Sequence, residues 1–234
     1  MSRGDPAAQS DTALRRAVDV KGVALGYEPP ADDRGDVGIW IPAGGSHCVG
    51  GLSATQKAKL LAAVIEHRPE RRAVGPQGGA MRSEKRAKLV LLGAELDKLG
   101  PAERAALRAR VGFLPAHGGL LSNLNAWENI VLPLGFHYPK RLKDAAAQVH
   151  GLLTELRADP QALLPKLPER MSPYEKKLTG YVRILMEKPE LLLVEDLRGG
   201  LDRAERAQVT EFPAAYLASC PGGTFVQLDG TPEA

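Results

Sequence analysis

The chain has 234 residues, 44% of them hydrophobic, with 31 Lys and Arg against 28 Asp and Glu for a net charge of +3. That is enough for one packed domain, or a domain with a subdomain, and the charge is too balanced to argue for a nucleic-acid partner. Two widely separated cysteines, Cys48 and Cys220, argue against a disulfide framework or a zinc cluster and are expected in the core of a protein from a reducing compartment.

Residues 1–17 carry Pro, Gly, Ser and Asp without the apolar run of a secretory leader, and read as a flexible tail. No stretch of about 18 uncharged apolar residues occurs, so a cytoplasmic chain without a membrane span is expected. Residues 18–27, VDVKGVALGY, suit an edge strand; DVGIWIP and SHCVGG follow as two strands broken at Pro42 to Gly45. A helix is expected from Thr55 to His67, then a Pro, Gly and Arg-rich interval through Ser83 and a strand KLVLLGAEL. Arg82, Lys85, Arg86 and Lys88 read as a solvated face.

Pro101 opens a helix before a short strand ending in VGFLP, and SNLNAWENIVLPLGF offers a Ser or Asn cap to a helix that Pro133 limits. RLKDAAAQVHGLLTEL is amphipathic, and Ser172 is placed to cap a helix from Tyr174 to Glu187. A strand LLLVE, a helix from Arg203 to Ser219 and a strand GTFVQLD complete the pattern. Alternating strands and helices imply an α/β sheet buried on both faces. The helical stretch from about 115 to 170 interrupts the alternation and reads as an inserted subdomain within a single domain over 18–234.

The chemistry concentrates at strand ends. In LLLVEDLRGGLD an apolar strand delivers Glu195 and Asp196 and runs into a Gly-Leu-Asp turn at Asp202. In SHCVGGLSATQKAK a strand leads through Gly51 and Ser53 into a helix carrying Lys57, as a phosphate-binding loop does. Taken alone, that segment reads better as a capped helix start with a solvated lysine, and Tyr27 as a packing residue. His47 and Cys48 are adjacent in a strand and point to opposite faces, and His67, His117, His137 and His150 lack metal-ligand spacing, so no metal site is assigned.

These motifs, in this order from about residue 18 to 230, resemble the nucleotide-binding domain of ABC (ATP-binding cassette) ATPases, and GLLSNLNAWENIVLPL resembles the ATPases of bacterial MCE/Mla-type phospholipid transporters. The resemblance implies a P-loop NTPase-like ABC core with an antiparallel β edge and an inserted helical subdomain. It implies ATP and Mg²⁺ as cofactors, with Tyr27 stacking on adenine and Gly51, Ser53, Lys57 and Ala58 in the phosphate loop. Ala116 takes the Q-loop place, Ser172, Pro173 and Tyr174 the signature, Glu195 and Asp196 the Walker B acids, Asp202 the D-loop and Asp229 the place of the switch histidine.

The chain departs from that pattern at most of these positions. Gln56 replaces a glycine, Ala58 lacks the hydroxyl that would ligate Mg²⁺, Ala116 replaces glutamine, and Pro173 and Tyr174 replace the signature glycines. The order Glu195 then Asp196 is reversed, moving each carboxylate by more than ~1 Å, a displacement that can cost roughly 10²-fold in rate. ATP and Mg²⁺ are therefore doubtful in the chain's own site. The expected role is a catalytically degenerate subunit on the inner face of the cell membrane. Its partners would be an integral-membrane permease, a second ABC ATPase and an MCE-type lipid-binding protein, with no nucleic acid. An atypical active ATPase and a nucleotide-binding regulator without a permease are the other readings.

Overall fold

The structure, a computed structural model, describes residues 20–29, 38–66 and 87–229. Residues 1–17, His67, Arg82, Lys85 and Arg86 lie outside the described residues. The chain divides into two compact units, one of Met1–Ala43 with Leu60–Arg104, the other of Gly44–Lys59 with Ala105–Ala234.

The first unit holds an antiparallel sheet of β1 (Val23–Glu28), β2 (Ile39–Pro42), β4 (Lys88–Leu91) and β5 (Ala94–Glu95), in the order β2-β1-β4-β5. β1 is not the edge strand expected. It pairs with β2 on one side and β4 on the other, because its first five residues are all buried and only an inner position covers them. The expected single strand KLVLLGAEL is a hairpin instead, since Leu92 (φ +47°) and Gly93 (φ +79°) both turn left-handed, the geometry of a two-residue turn. A Cβ on Gly93 would lie 3.2 Å from the Lys21 backbone, so the turn also needs glycine for space. Trp40 lies over Gly26, where a Cβ would collide with its ring.

In the second unit, β3 (Gly45–Val49), β6 (Val111–Leu114), β7 (Leu191–Glu195) and β8 (Thr224–Leu228) form a parallel sheet, ordered β3-β8-β7-β6. The central strand β7 is buried from Leu191 to Val194, which its unbroken apolar run requires of a strand covered on both faces. α1 (Ala54–Glu66) follows β3, and α2 (Pro101–Arg108) precedes β6 with Pro101 in its first turn, as expected. The helical stretch comprises α3 (Ala126–His137), α4 (Ala145–Glu155) and the single turn α5 (Pro160–Leu163), with 3₁₀ turns between.

Pro133 does not end α3. The helix runs on to His137 because Ile130 and Leu134, one turn apart, are both fully buried, and this outweighs one missing backbone bond. Asn125 caps α3 in a capping box with Glu128. Buried Asn129 accepts the Leu121 N–H at 2.8 Å and donates to the carbonyls of Leu121, Leu124 and Asn125, fixing the loop before the helix. α6 (Pro173–Glu187) supplies most of the core's helical wall, with Leu178, Tyr181 and Val182 fully buried and Tyr181 stacked on Phe212.

The helix expected over 203–219 is two, α7 (Arg203–Val209) and α8 (Phe212–Ser219). Pro213 has no N–H to offer the Val209 carbonyl, so a continuous helix would break there. Of the two cysteines only Cys220 is buried; Cys48 is exposed on β3, an edge of its sheet with mostly exposed residues.

Candidate functional site

The carboxyl ends of β3, β6, β7 and β8 bring most of the sequence-predicted residues into the second unit. β3 ends at Val49, and Gly50 to Ser53 lead into α1 with Gly51 at φ +76°. The N-terminus of α1 is closed by the chain itself. Gln56 donates its N–H to Ser53 Oγ at 3.2 Å, and the Ser53 N–H donates to Gln56 Oε1 at 3.0 Å. This is a capping box, and it takes backbone donors of the kind that a phosphate at a helix N-terminus would use. Lys57 Nζ lies 3.8 Å from Glu195 Oε1, a long ion pair between mostly covered side chains. Ala58 is exposed and presents only a methyl group.

The two acids have separate fates. Glu195 ends β7, and besides facing Lys57 its Oε2 accepts the Ala116 N–H at 3.4 Å, so Ala116 meets it through its backbone alone. Asp196 leaves the strand at φ +43°, and its carboxylate folds over Gly199, where any Cβ would collide with it. Lys177 on α6 holds this turn. It is 2% exposed and donates to the Asp196 carbonyl at 2.6 Å and the Leu197 carbonyl at 3.2 Å. Burial pushes its amino group below the usual lysine range, opposed by the nearby Asp196 and Glu195 carboxylates.

The loop after β6 is fitted to α6. A Cβ on Gly118 would collide with the Lys176 carbonyl, one on Gly180 with the Gly118 carbonyl, and Arg183 donates to the Gly119 carbonyl at 2.8 Å. At the start of α6, Ser172 accepts the Glu175 N–H at 3.2 Å and gives its own N–H to Glu175 Oε2 at 2.9 Å. Pro173 occupies the first helical position and offers no N–H. Tyr174 is 8% exposed, its hydroxyl turned toward the Leu156 carbonyl, and burial with the Glu211 and Glu205 charges pushes its phenol up to about 12. Asp202 caps α7 through a further box with Glu205.

Asp229 follows β8 and accepts from Gln227 Nε2 at 2.6 and 2.8 Å and from Cys48 Sγ at 3.4 Å. Partial burial, then the Asp229 bond, push the Cys48 thiol above its usual range. Tyr27 lies in β1 of the first unit, 5% exposed. Among the described residues no group of three or more His, Cys, Asp or Glu side chains is placed to hold a metal ion.

Sequence reasoning missed the capping role of Gln56, and missed Lys177, Glu175 and Glu205 altogether. Three of the four were legible: Ser53/Gln56, Ser172/Glu175 and Asp202/Glu205 each stand three apart with a Ser or Asp first and an acceptor side chain last, the spacing of a capping box. Lys177 carries no such signal, since an interior lysine is written in a sequence like any solvated one.

No family model matches the chain. Against known proteins it is 26% identical over 216 residues to the lipoprotein-releasing system ATP-binding protein LolD of Aquifex aeolicus, covering 92% of this chain and 86% of that one. It is also 26% identical over 199 residues to the probable ribonucleotide transport ATP-binding protein mkl of Mycobacterium tuberculosis, covering 84% of this chain but only 48% of that one. It thus spans about half the length of the mycobacterial relative. Among solved structures it matches cbiO1 of Clostridium perfringens, part of the ABC transporter complex cbiONQ, with a TM-score of 0.65, 13% identity and coverage of 89% of this chain and 79% of that one. The ATP-binding cassette MJ0796, in a dimer bound to ADP and Pi, gives a TM-score of 0.60 at 16% identity, covering 88% and 87%.

The chain has the fold of an ABC ATPase. The two relatives by sequence are ATP-binding proteins of a lipoprotein-releasing system and of probable ribonucleotide transport. Lys57, in the first turn of α1, faces Glu195 across the carboxyl end of β7. No helix among the described residues is long and apolar enough to cross a membrane.

Proposed function

We propose that this chain is a catalytically degenerate ATP-binding-cassette subunit of a membrane transporter. It holds the geometry of the assembly, docks an integral-membrane permease through its helical stretch and pairs with a second, catalytically competent ABC subunit. The observation that carries this reading is the closure of the loops that meet phosphate in the fold. The Ser53/Gln56 box caps α1, the Ser172/Glu175 box with Pro173 caps α6, and the Asp196 carboxylate folds back over Gly199. The residues present do not fit Mg²⁺–ATP: Ala58 and Ala116 bring no side-chain oxygen to a metal, and Glu175 puts a carboxylate where an anion would bind.

The chain would then sit on the inner face of the cell membrane through the permease. A lipid cargo, with an MCE-type lipid-binding protein in the complex, is supported by the GLLSNLNAWENIVLPL segment and by the lipoprotein-releasing relative. Phe136, 78% exposed in the last turn of α3, supports docking on the helical side. The retained Lys57–Glu195 pair favours a second reading, an atypical ATPase that hydrolyses ATP slowly to drive lipid transport.

Reconstitution with the permease and the candidate partner ATPase separates the two. Lys57→Ala in this chain leaves transport-coupled turnover unchanged if the subunit is degenerate, and abolishes part of it if the chain hydrolyses ATP. Failure of the chain to co-purify with either protein sinks the assembly reading.

A further inference from the structure

A contact between α6 and α7 carries the reading further. Ser172 Oγ, besides accepting the Glu175 N–H, donates its proton to Glu205 Oε1 at 3.0 Å, and the other oxygen of the same carboxylate accepts the Asp202 N–H at 3.2 Å. Glu175 in turn binds Lys166 Nζ at 2.7 Å. A continuous run of hydrogen bonds, through side chains and the N–H groups of Ser172 and Asp202, thus links Lys166, Glu175, Ser172, Glu205 and Asp202.

We propose that Glu205 is a positioning residue that latches the signature serine to the D-loop helix within one subunit. An ionised carboxylate accepts through both oxygens, so one side chain holds two donors from two different helices. While it does so, the Ser172 hydroxyl proton is given to an anion of its own chain and is not free for any other acceptor. The latch also ties the entry of α6 to the entry of α7. The availability of Ser172 to a second subunit, a role that rests on the assembly proposed above, then depends on release of Glu205.

A double-mutant cycle of Ser172→Ala and Glu205→Ala in the full chain, read by urea denaturation, tests the latch without any partner. Each single variant also loses a cap, of α6 or α7, and those losses cancel in the cycle. The latch predicts a coupling of about fivefold or more in the folding equilibrium constant, as for a hydrogen bond to a charged group. Glu205→Gln, which keeps one carbonyl acceptor and loses the second, should retain part of the coupling to Ser172. Amide exchange at 171–176 should quicken in Glu205→Ala and less so in Glu205→Gln. A coupling within error of one, or exchange at 171–176 unmoved by Glu205→Ala, overturns the latch and leaves the assembly reading standing. That reading fails on a separate observation, absence of association with a competent ABC subunit.

Discussion

Replacing Lys177 by Met should change how stability depends on pH more than how much stability there is. The Lys177 ammonium is 2% exposed and has two backbone carbonyls as partners, Asp196 and Leu197, at 2.6 and 3.2 Å. Met fills the space but leaves both carbonyls without this donor, at about 1–3 kcal/mol each, while relieving the burial of a charge; the two oppose one another at neutral pH. The pH slope has one sign. Burial lowers the folded-state pKa below the ordinary 10.5, so on raising pH the folded chain sheds this proton before the unfolded chain does. The unfolded state then binds more protons and stability rises with pH across the interval between the two values, by at most ~1.4 kcal/mol per pH unit.

For a chain of this size that corresponds to roughly 3–5 °C in Tm per pH unit. Tyr174, pushed up to about 12, and the still higher Tyr181 and Tyr216 keep their protons when folded and so lower stability above the ordinary tyrosine value of 10.0. The comparison therefore belongs between about pH 7 and 9.5, with wild type and Lys177→Met melted side by side by circular dichroism. The difference between the two profiles should grow with pH in favour of the wild type. Parallel profiles would refute the lowering of the Lys177 amino group by burial on which this prediction rests.

Gln56→Gly opens the capping box of α1 and should cost about 1–2 kcal/mol, read as a lowered urea midpoint; no loss would mean the box contributes nothing to α1. Asn129→Leu keeps the burial but removes the donors and acceptor that hold Leu121, Leu124 and Asn125, so ~3 kcal/mol should be lost and proteolysis near residue 121 should quicken. Gly180→Ala drives a methyl group into the Gly118 carbonyl and should prevent folding or cost more than about 3 kcal/mol, judged by expression and melting. Cys48 should be the native chain's reactive thiol toward iodoacetamide, with Cys220 protected; Asp229→Asn should speed the reaction near pH 8, since Asp229 holds the Cys48 thiol in its protonated form.

Most of the parallel sheet was legible because Leu191 to Val194 is an unbroken apolar run, and Pro101 and Ser172 marked helix starts at the right residues. The misses have local causes. The Leu92–Gly93 turn hides in an apolar run because Leu92 adopts a left-handed conformation that its residue type disfavours, and tertiary pairing of β4 with β1 decides the issue. Pro133 stays inside a helix because the burial of Ile130 and Leu134 overrides a local rule. At the site, the departures at Gln56, Ala58, Pro173 and Tyr174 were visible as letters. How the side chains around them are engaged was not, because the cap at Gln56, the bond from Ser172 to Glu205 and the hold of Lys177 depend on which side chains the fold places face to face.

The most direct test of the central claim is MgATP titration of the purified full chain by calorimetry, run alongside hydrolysis by the wild type and Lys57→Ala. A degenerate subunit predicts hydrolysis no greater than the blank in either protein, with no heat of binding or a heat without turnover. Hydrolysis by the wild type that disappears in Lys57→Ala would contradict the account and make this an unconventional ATPase.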